Sequence, residues 1–583
     1  MKTRILPALA LATALLAASC SKTPAPEKFT DTAQLENIDG AMAFYSFQHP
    51  KLVVQSLDKL AAEIPEAAFL NALLSAQGAR LGYPDFTEIA AGTNIGVYQP
   101  AMSLDELKLK RGQRAFLSQV FFIKLKENGK IWNMLTRQLH LQTRKQGDWT
   151  MFAFDTAAFD AVKNPDALIA RLSAPQTETL RAWFSLDGDM AAAYQTLLDD
   201  ALSKALSAGT LPDAEKTAFA AYAKILIGEF FASAQSARAS LTLGDTSLQI
   251  TGGIQNKPDS PLGIFARYRS DATPDTARYI ANDAILTGVI RITPKAQRDL
   301  AEHFADQLLT VDYPPVSEPI AKLKTACDTS GYWKQMDGCV AMSMNMSMDL
   351  SDLQAPKTEG KNFTVTSGKF DTGTLQIMDE SIAIAQKLVS QMMAYAVRHA
   401  PAGNLGRDLP EITFPATQPV KIEGVDFSAW TMQIRAGSEN GAAARPRLLQ
   451  KQTTYYGVAG GNLVTASNEA DLKTRLPALL AKKVLPDNIA AANPLQPYDI
   501  ASMSLNGGAL TDMICATARL DMTDTDAQAT IADIKSLYAQ SGPARLTMEA
   551  RQAALEYKAD IPYKFIAASV RLGRYIYSVK NSR

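Results

Sequence analysis

The sequence predicts an α+β fold: two tandem related domains, each a mainly antiparallel sheet with helices packed on one face. Three observations predict it. Apolar–polar alternation of strand type is separated by long amphipathic stretches of helical period. Period-2 runs come in pairs split by turn residues, as hairpins do. Finally, four segments recur in one order along the chain, which places a second copy of the pattern after the first.

The recurring elements run as follows. "DGAMAFYSFQHPK" (39–51) is matched by "DAILTGVIRITPK" (283–295): an alternating strand, then Pro50 or Pro294 opening a helix. Proline suits that position because the first helical N–H has no partner to lose. "GDWTMFAFDTAAFDAVKNPDALIARL" (147–172) is matched by "GGNLVTASNEADLKTRLPALL" (460–480), each a turn, a strand and an amphipathic helix. "FSLDGDMAAAY" (184–194) is matched by "MSLNGGALTDM" (503–513), a strand, an Asx-Gly turn and a helix. "ARASLTLGDTSLQITGGI" (237–254) and "ARLTMEARQAALEYKADI" (544–561) are both period-2 hairpins. The expected domains are 36–272 and 276–583, joined near "SDATPDTA" (270–277), with an insertion in the second at about 311–425. The body is too long for a single core.

Ahead of the domains, Lys2 and Arg4 precede the apolar run "ILPALALATALL" (5–16), and "AAS" then precedes Cys20. Residues 1–19 read as a signal peptide, too short and wrongly flanked for a membrane span. The small residues followed at once by Cys resemble the lipobox of bacterial lipoproteins. That resemblance implies cleavage before Cys20 and acylation of its sulfur and new amine. Several acyl chains hold a protein at a bilayer where one is marginal. Residues 20–35, polar with two prolines, read as the lipidated Cys and a tether. Ser21 stands where that family's inner-membrane retention signal carries Asp, which implies the outer membrane, periplasmic face or cell surface; the alternative is the periplasmic face of the inner membrane. The body also resembles, more distantly, duplicated uncharacterised bacterial envelope proteins.

Lys plus Arg number 59 and Asp plus Glu number 59, with no long single-sign block, so nothing favours nucleic acid as a partner. The expected partners are the bilayer, through acylated Cys20, and an unknown protein or apolar ligand. Cys327 and Cys339 bracket the polar stretch "DTSGYWKQMDG" in a compartment that permits disulfides, and are expected to bridge. Cys515, in "ALTDMICATARL", is expected to be a small buried core residue.

Motifs that carry chemistry are scarce. Asp-Thr-Gly (371–373) is the aspartic-protease triplet, but that chemistry needs a second carboxylate and no second triplet exists; it reads as a hairpin turn. Ser56 and Lys59 match Ser-x-x-Lys inside an ordinary amphipathic helix. "GVAGGN" (457–462) lies between two strands with no following helix to cradle a phosphate, and reads as a hairpin loop. With four histidines in the chain, histidine acid–base chemistry has little material. No catalytic residue and no cofactor is assigned.

"CVAMSMNMSMDL" (339–350) places Met342, Met344, Met346 and Met348 at every second position. Thioethers suit Cu(I). However, alternate residues of a strand stand about 6.6 Å apart, so four on one strand cannot all reach one ion. The favoured reading is one buried strand face, with Ser343, Asn345 and Ser347 on the other; the alternatives are a copper site or the wall of an apolar pocket. The function expected is a membrane-anchored envelope lipoprotein acting as a non-enzymatic binding or interaction module. The alternatives are a lipid or apolar-ligand carrier with a groove between sheet and helices, and an enzyme without a recognisable motif.

Overall fold

The computed structural model describes residues 38, 40–64, 86–101, 118–186, parts of 188–203, 213–267, 272–349, 357–371, 373–383, 411–435, 448–518, 525–551 and 553–581. The first half carries β1 (Ala41–Phe47), β2 (Ile95–Pro100), β3 (Val120–Ile123), β4 (Gln142–Gln146), β5 (Trp149–Ala153), β6 (Leu180–Ser185), β7 (Ala234–Leu243) and β8 (Ser247–Asn256). The second half begins with β9 (Leu286–Arg291), β10 (Met336–Asp349), β11 (Lys357–Gly368), β12 (Glu411–Thr413), β13 (Gln418–Ile422) and β14 (Val425–Arg435). It continues with β15 (Leu448–Ala459), β16 (Asn462–Ala466), β17 (Asp499–Leu505), β18 (Ala544–Arg551) and β19 (Ala554–Pro562).

The fold is α+β. These strands form one antiparallel sheet of 19 strands with helices packed against it. In the first half the spatial order is β4-β5-β3-β2-β1-β6-β7-β8. In the second it is β15-β16-β11-β10-β9-β17-β18-β19, the same sequence of pairings. The halves meet where β8 pairs with β19 over nine residue pairs, so the sheet runs unbroken through the joint. β10 and β11 stand where β2 and β3 stand, although both fall inside 311–425. Among the described strands, only β14, with β12 and β13 paired to it, lies beyond β15 without a counterpart. The surplus of the second half is therefore at its outer edge.

Local sequence explains the start of each half. β1 runs into the helix Pro50–Glu63 and β9 into the helix Pro294–Leu309, both with proline in the first turn. The caps differ. His49 Nδ1 accepts from Lys51 N at 3.2 Å, whereas Thr293 Oγ1 accepts from Ala296 N at 3.2 Å. The "GVAGGN" turn joins β15 to β16 with Gly460 and Gly461 at φ +57° and +81°, the left-handed pair that a two-residue hairpin needs.

Residues directly opposite on neighbouring strands share a face, which separates the cores into two sides. On the front, Phe44, Tyr98, Phe122 and Met151 are closed over by Phe159, Leu168 and Leu172 of the segment 157–173. At the other end of the same side, Val289, Ala341, Phe363, Val365 and Val464 are closed over by Ala277, Leu472, Leu476 and Ile489. On the back lie longer helices: Gly507–Ala518, Thr525–Ser541 and Tyr563–Asn581 bury Cys515, Ile531, Ile534, Tyr538, Phe565 and Leu572 together.

Three expectations need correction. Met342–Met348 do alternate along β10, but the buried face is the opposite one. Ala341 is 0% and Ser343 2% exposed, while Met342 and Met344 are half-buried. The small residues lie on the front because the segment 275–279 and the helices 469–480 and 489–492 press down on that side. Second, Cys327 and Cys339 are free thiols. The stretch between them is not a loop. The helix Pro314–Ser330 runs to Gly331 at φ +65°, a short helix follows, and β10 begins at Met336. Cys327 thereby packs with Leu323, Trp333 and Leu463 on the back, and Cys339 with Val289 and Ala341 on the front. Third, Asp371 does not sit in a hairpin. Its Oδ1 accepts from Gly373 N at 2.9 Å at the start of a helix that is described to residue 383.

Candidate binding cleft

Between the two capped ends no described helix covers the front of the sheet. β6, β7, β8, β19 and β18 form the floor of a cleft of about 390 Å³, lined by Glu178, Arg181, Trp183, Arg238, Glu549, Glu556 and Lys558 among others. Strand register puts these side chains together. One row runs Trp183, Arg238, Gly253, Glu556, Glu549, Asp499, each directly opposite the next. The row beside it runs Arg181, Ser240, Thr251, Lys558, Thr547, Ser502.

Gly253 lets the rows cross the joint. It has no side chain, so Arg238 Nη2 reaches over it to Glu556 Oε2 at 2.6 Å. The next residue back, Gly252, leaves room on the other face for the Tyr557 ring. Ser240 and Thr251 share a hydrogen bond of 2.6 Å on the floor.

Three ion pairs take up most of the charges at the cleft. Arg181 pairs with Glu178, and Glu549 with Arg551 at 2.7 Å; the Arg551 guanidinium also lies 4.3 Å over the Tyr498 ring. Burial pushes the Glu178 carboxyl up, but the hydrogen bond and charge of Arg181 more than offset this, and it titrates below the usual range. Asp499, buried at the end of the row, is pushed up by burial and by the facing Glu549, against the stabilising N–H of Gln496 at 2.7 Å. It holds a turn. Among the described residues no group of three His, Cys, Asp or Glu side chains could hold a metal ion.

A second cleft, of about 570 Å³, lies at the front near Pro274, Arg278, Arg291, Asn488 and Leu495. Arg291 is committed there: its Nη2 donates to the carbonyls of Gln496, Pro497 and Asp499 at 2.8, 3.2 and 3.1 Å.

The residues singled out from sequence do not converge on either cleft. Cys20 lies outside the described residues, as does His399. Met346 and Met348 belong to β10, but their side chains lie outside the described ones. Lys59 pairs with Asp245 at the surface. Cys515 is buried as expected, 6% exposed. Cys339 is buried as well, and burial pushes its thiol up to about 12. Sequence reasoning missed Arg238 and Glu556, which carry no motif. The available signal was the Gly-Gly pair inside a strand-period run, a mark of close approach.

No protein-family model, no curated protein and no solved structure matches this chain.

Proposed function

We propose that this protein is an envelope lipoprotein, held at the outer membrane by acylated Cys20, whose front cleft is the face of a non-enzymatic binding or interaction module. The two homologous halves, in this reading, were joined edge to edge and the cleft arose at their joint. The observation that carries the reading is the pairing of the cleft's three arginine–glutamate couples. Arg238–Glu556, Arg181–Glu178 and Arg551–Glu549 neutralise one another. A general acid or base must be poised toward substrate with a tuned affinity for protons; a recognition surface needs polar groups held in fixed positions. No described helix is long and apolar enough to cross a membrane, which fits attachment through lipid. The carrier alternative draws less support from the cleft at the joint, whose lining is mainly charged and polar.

The test is site-specific photocrosslinking in intact cells. A benzophenone amino acid at Lys558, in the cleft, should capture a discrete partner. The same residue at Lys421, far along the sheet, should not, and adding Arg238→Glu should abolish capture at Lys558. Equal or absent capture at the two positions contradicts the proposal.

A further inference from the structure

We propose that Met342, Met344 and Met503 form a thioether site for Cu(I) on the back of the sheet, independent of the front cleft. Met342 of β10, Gly288 of β9 and Met503 of β17 are directly opposite one another across three neighbouring strands. The middle position has no side chain, and both flanking side chains lean into the gap. Met503 Cγ lies 2.9 Å, and Met342 Cγ 3.5 Å, from the point where a Cβ on Gly288 would stand. Two sulfur-bearing chains from different strands thus converge above one glycine. A third, Met344, follows two residues along β10, about 6.6 Å away.

The strand-spacing objection to copper applied to one strand alone; the sheet removes it by bringing Met503 in from β17. Three further features fit. Gly288 sits inside a central strand, where glycine weakens the sheet and is used when something must approach closely. The methionines are half-buried on the back, while the residues alternating with them on β10 fill the front core. Unbranched thioether chains can turn their sulfurs inward, and uncharged soft sulfur selects Cu(I) over the divalent ions.

The whole protein is titrated with Cu(I), kept reduced by ascorbate, against the chromogenic chelator bicinchoninate. One ion per chain should be withdrawn by the wild type. Met342→Leu and Met503→Leu, which conserve volume, should each weaken binding at least tenfold, and Met378→Leu, in a separate cluster, should not. The buried thiols are the competing ligands, so undiminished binding in both variants overturns the site, as does the absence of any competition. A measurement without mutation guards against misfolded variants. In selenomethionine-substituted protein loaded with Cu(I), the selenium absorption edge should show a copper neighbour at bonding distance. Its absence overturns the proposal.

Discussion

Arg238 of β7 and Glu556 of β19 are ion-paired at 2.6 Å across β8, the strand between them, because the residue that separates them is Gly253. The pair ties the first half of the chain to the second. Its energy is modest. Arg238 is 43% and Glu556 24% exposed, and ion pairs open to solvent contribute about 0–1 kcal/mol. A double-mutant cycle with Arg238→Gln and Glu556→Gln should give a coupling below about 1 kcal/mol that shrinks in high salt. A coupling of several kcal/mol, insensitive to salt, would show a pair far better shielded than the structure has it.

A second glycine is far less tolerant. Gly507 opens the helix Gly507–Ala518 under the Tyr538 ring, and a Cβ there would lie 1.9 Å from Tyr538 Cδ1. Tyr538 cannot swing away freely: it is 4% exposed, packs edge-on against Phe565, and its hydroxyl meets Ser569 Oγ at 2.9 Å. Gly507→Ala should destabilise the fold by about 1–3 kcal/mol, the usual cost of overpacking, read from denaturant midpoints. A variant as stable as the wild type would refute this packing.

His49 makes stability depend on pH. It is buried, and its Nδ1 must stay unprotonated to accept from Lys51 N. Burial, with the charge of Lys51 adding to it against the carbonyl of Ile89, lowers its affinity for a proton below the ordinary 6.5. Above that value the ring is neutral in both states and the contribution is complete. As pH falls below 6.5 the unfolded chain binds the proton first, so stability is lost progressively down through the lowered folded value. His49→Asn, which keeps a capping oxygen, should flatten that part of the stability profile relative to wild type. An unchanged slope between pH 7 and 5 would remove His49 as the cause.

The cysteines give a count. Cys327, Cys339 and Cys515 are free, with the first two on opposite sides of the sheet. Denatured but unreduced protein lacking its lipid anchor should show three free thiols; a count of one would restore a bridge. In the native state Cys339 should resist alkylation, since burial disfavours its thiolate.

Much of the local structure was legible. The strand-then-proline pattern marked Pro50 and Pro294, and the period-2 pairs marked the hairpins β7–β8 and β18–β19. What stayed hidden was long-range. The β8–β19 pairing joins residues some three hundred positions apart, and no local pattern specifies it. Alternation along β10 correctly gave two faces but not which was core. Met344 looks more like an interior residue than Ser343, and only the segments that close over the front decide the matter. The cysteine pair misled because Asp-Thr-Ser-Gly reads as a loop, whereas its first three residues finish a helix and only Gly331 turns the chain. The cleft was illegible for a similar reason: its charges come from β6, β7, β18 and β19, and only the sheet gathers them.

The measurement that bears most directly on the proposed role is acylation of Cys20. Cells expressing the wild type or Cys20→Ala are fed an alkyne fatty acid, and membranes are separated from soluble protein. The wild type should be labelled and membrane-bound. In this reading the variant should be unlabelled and released, with the melting temperature of the wild type. Equal labelling of the two proteins, or a variant that stays with the membrane, would contradict the lipoprotein reading and with it the place assigned to the cleft.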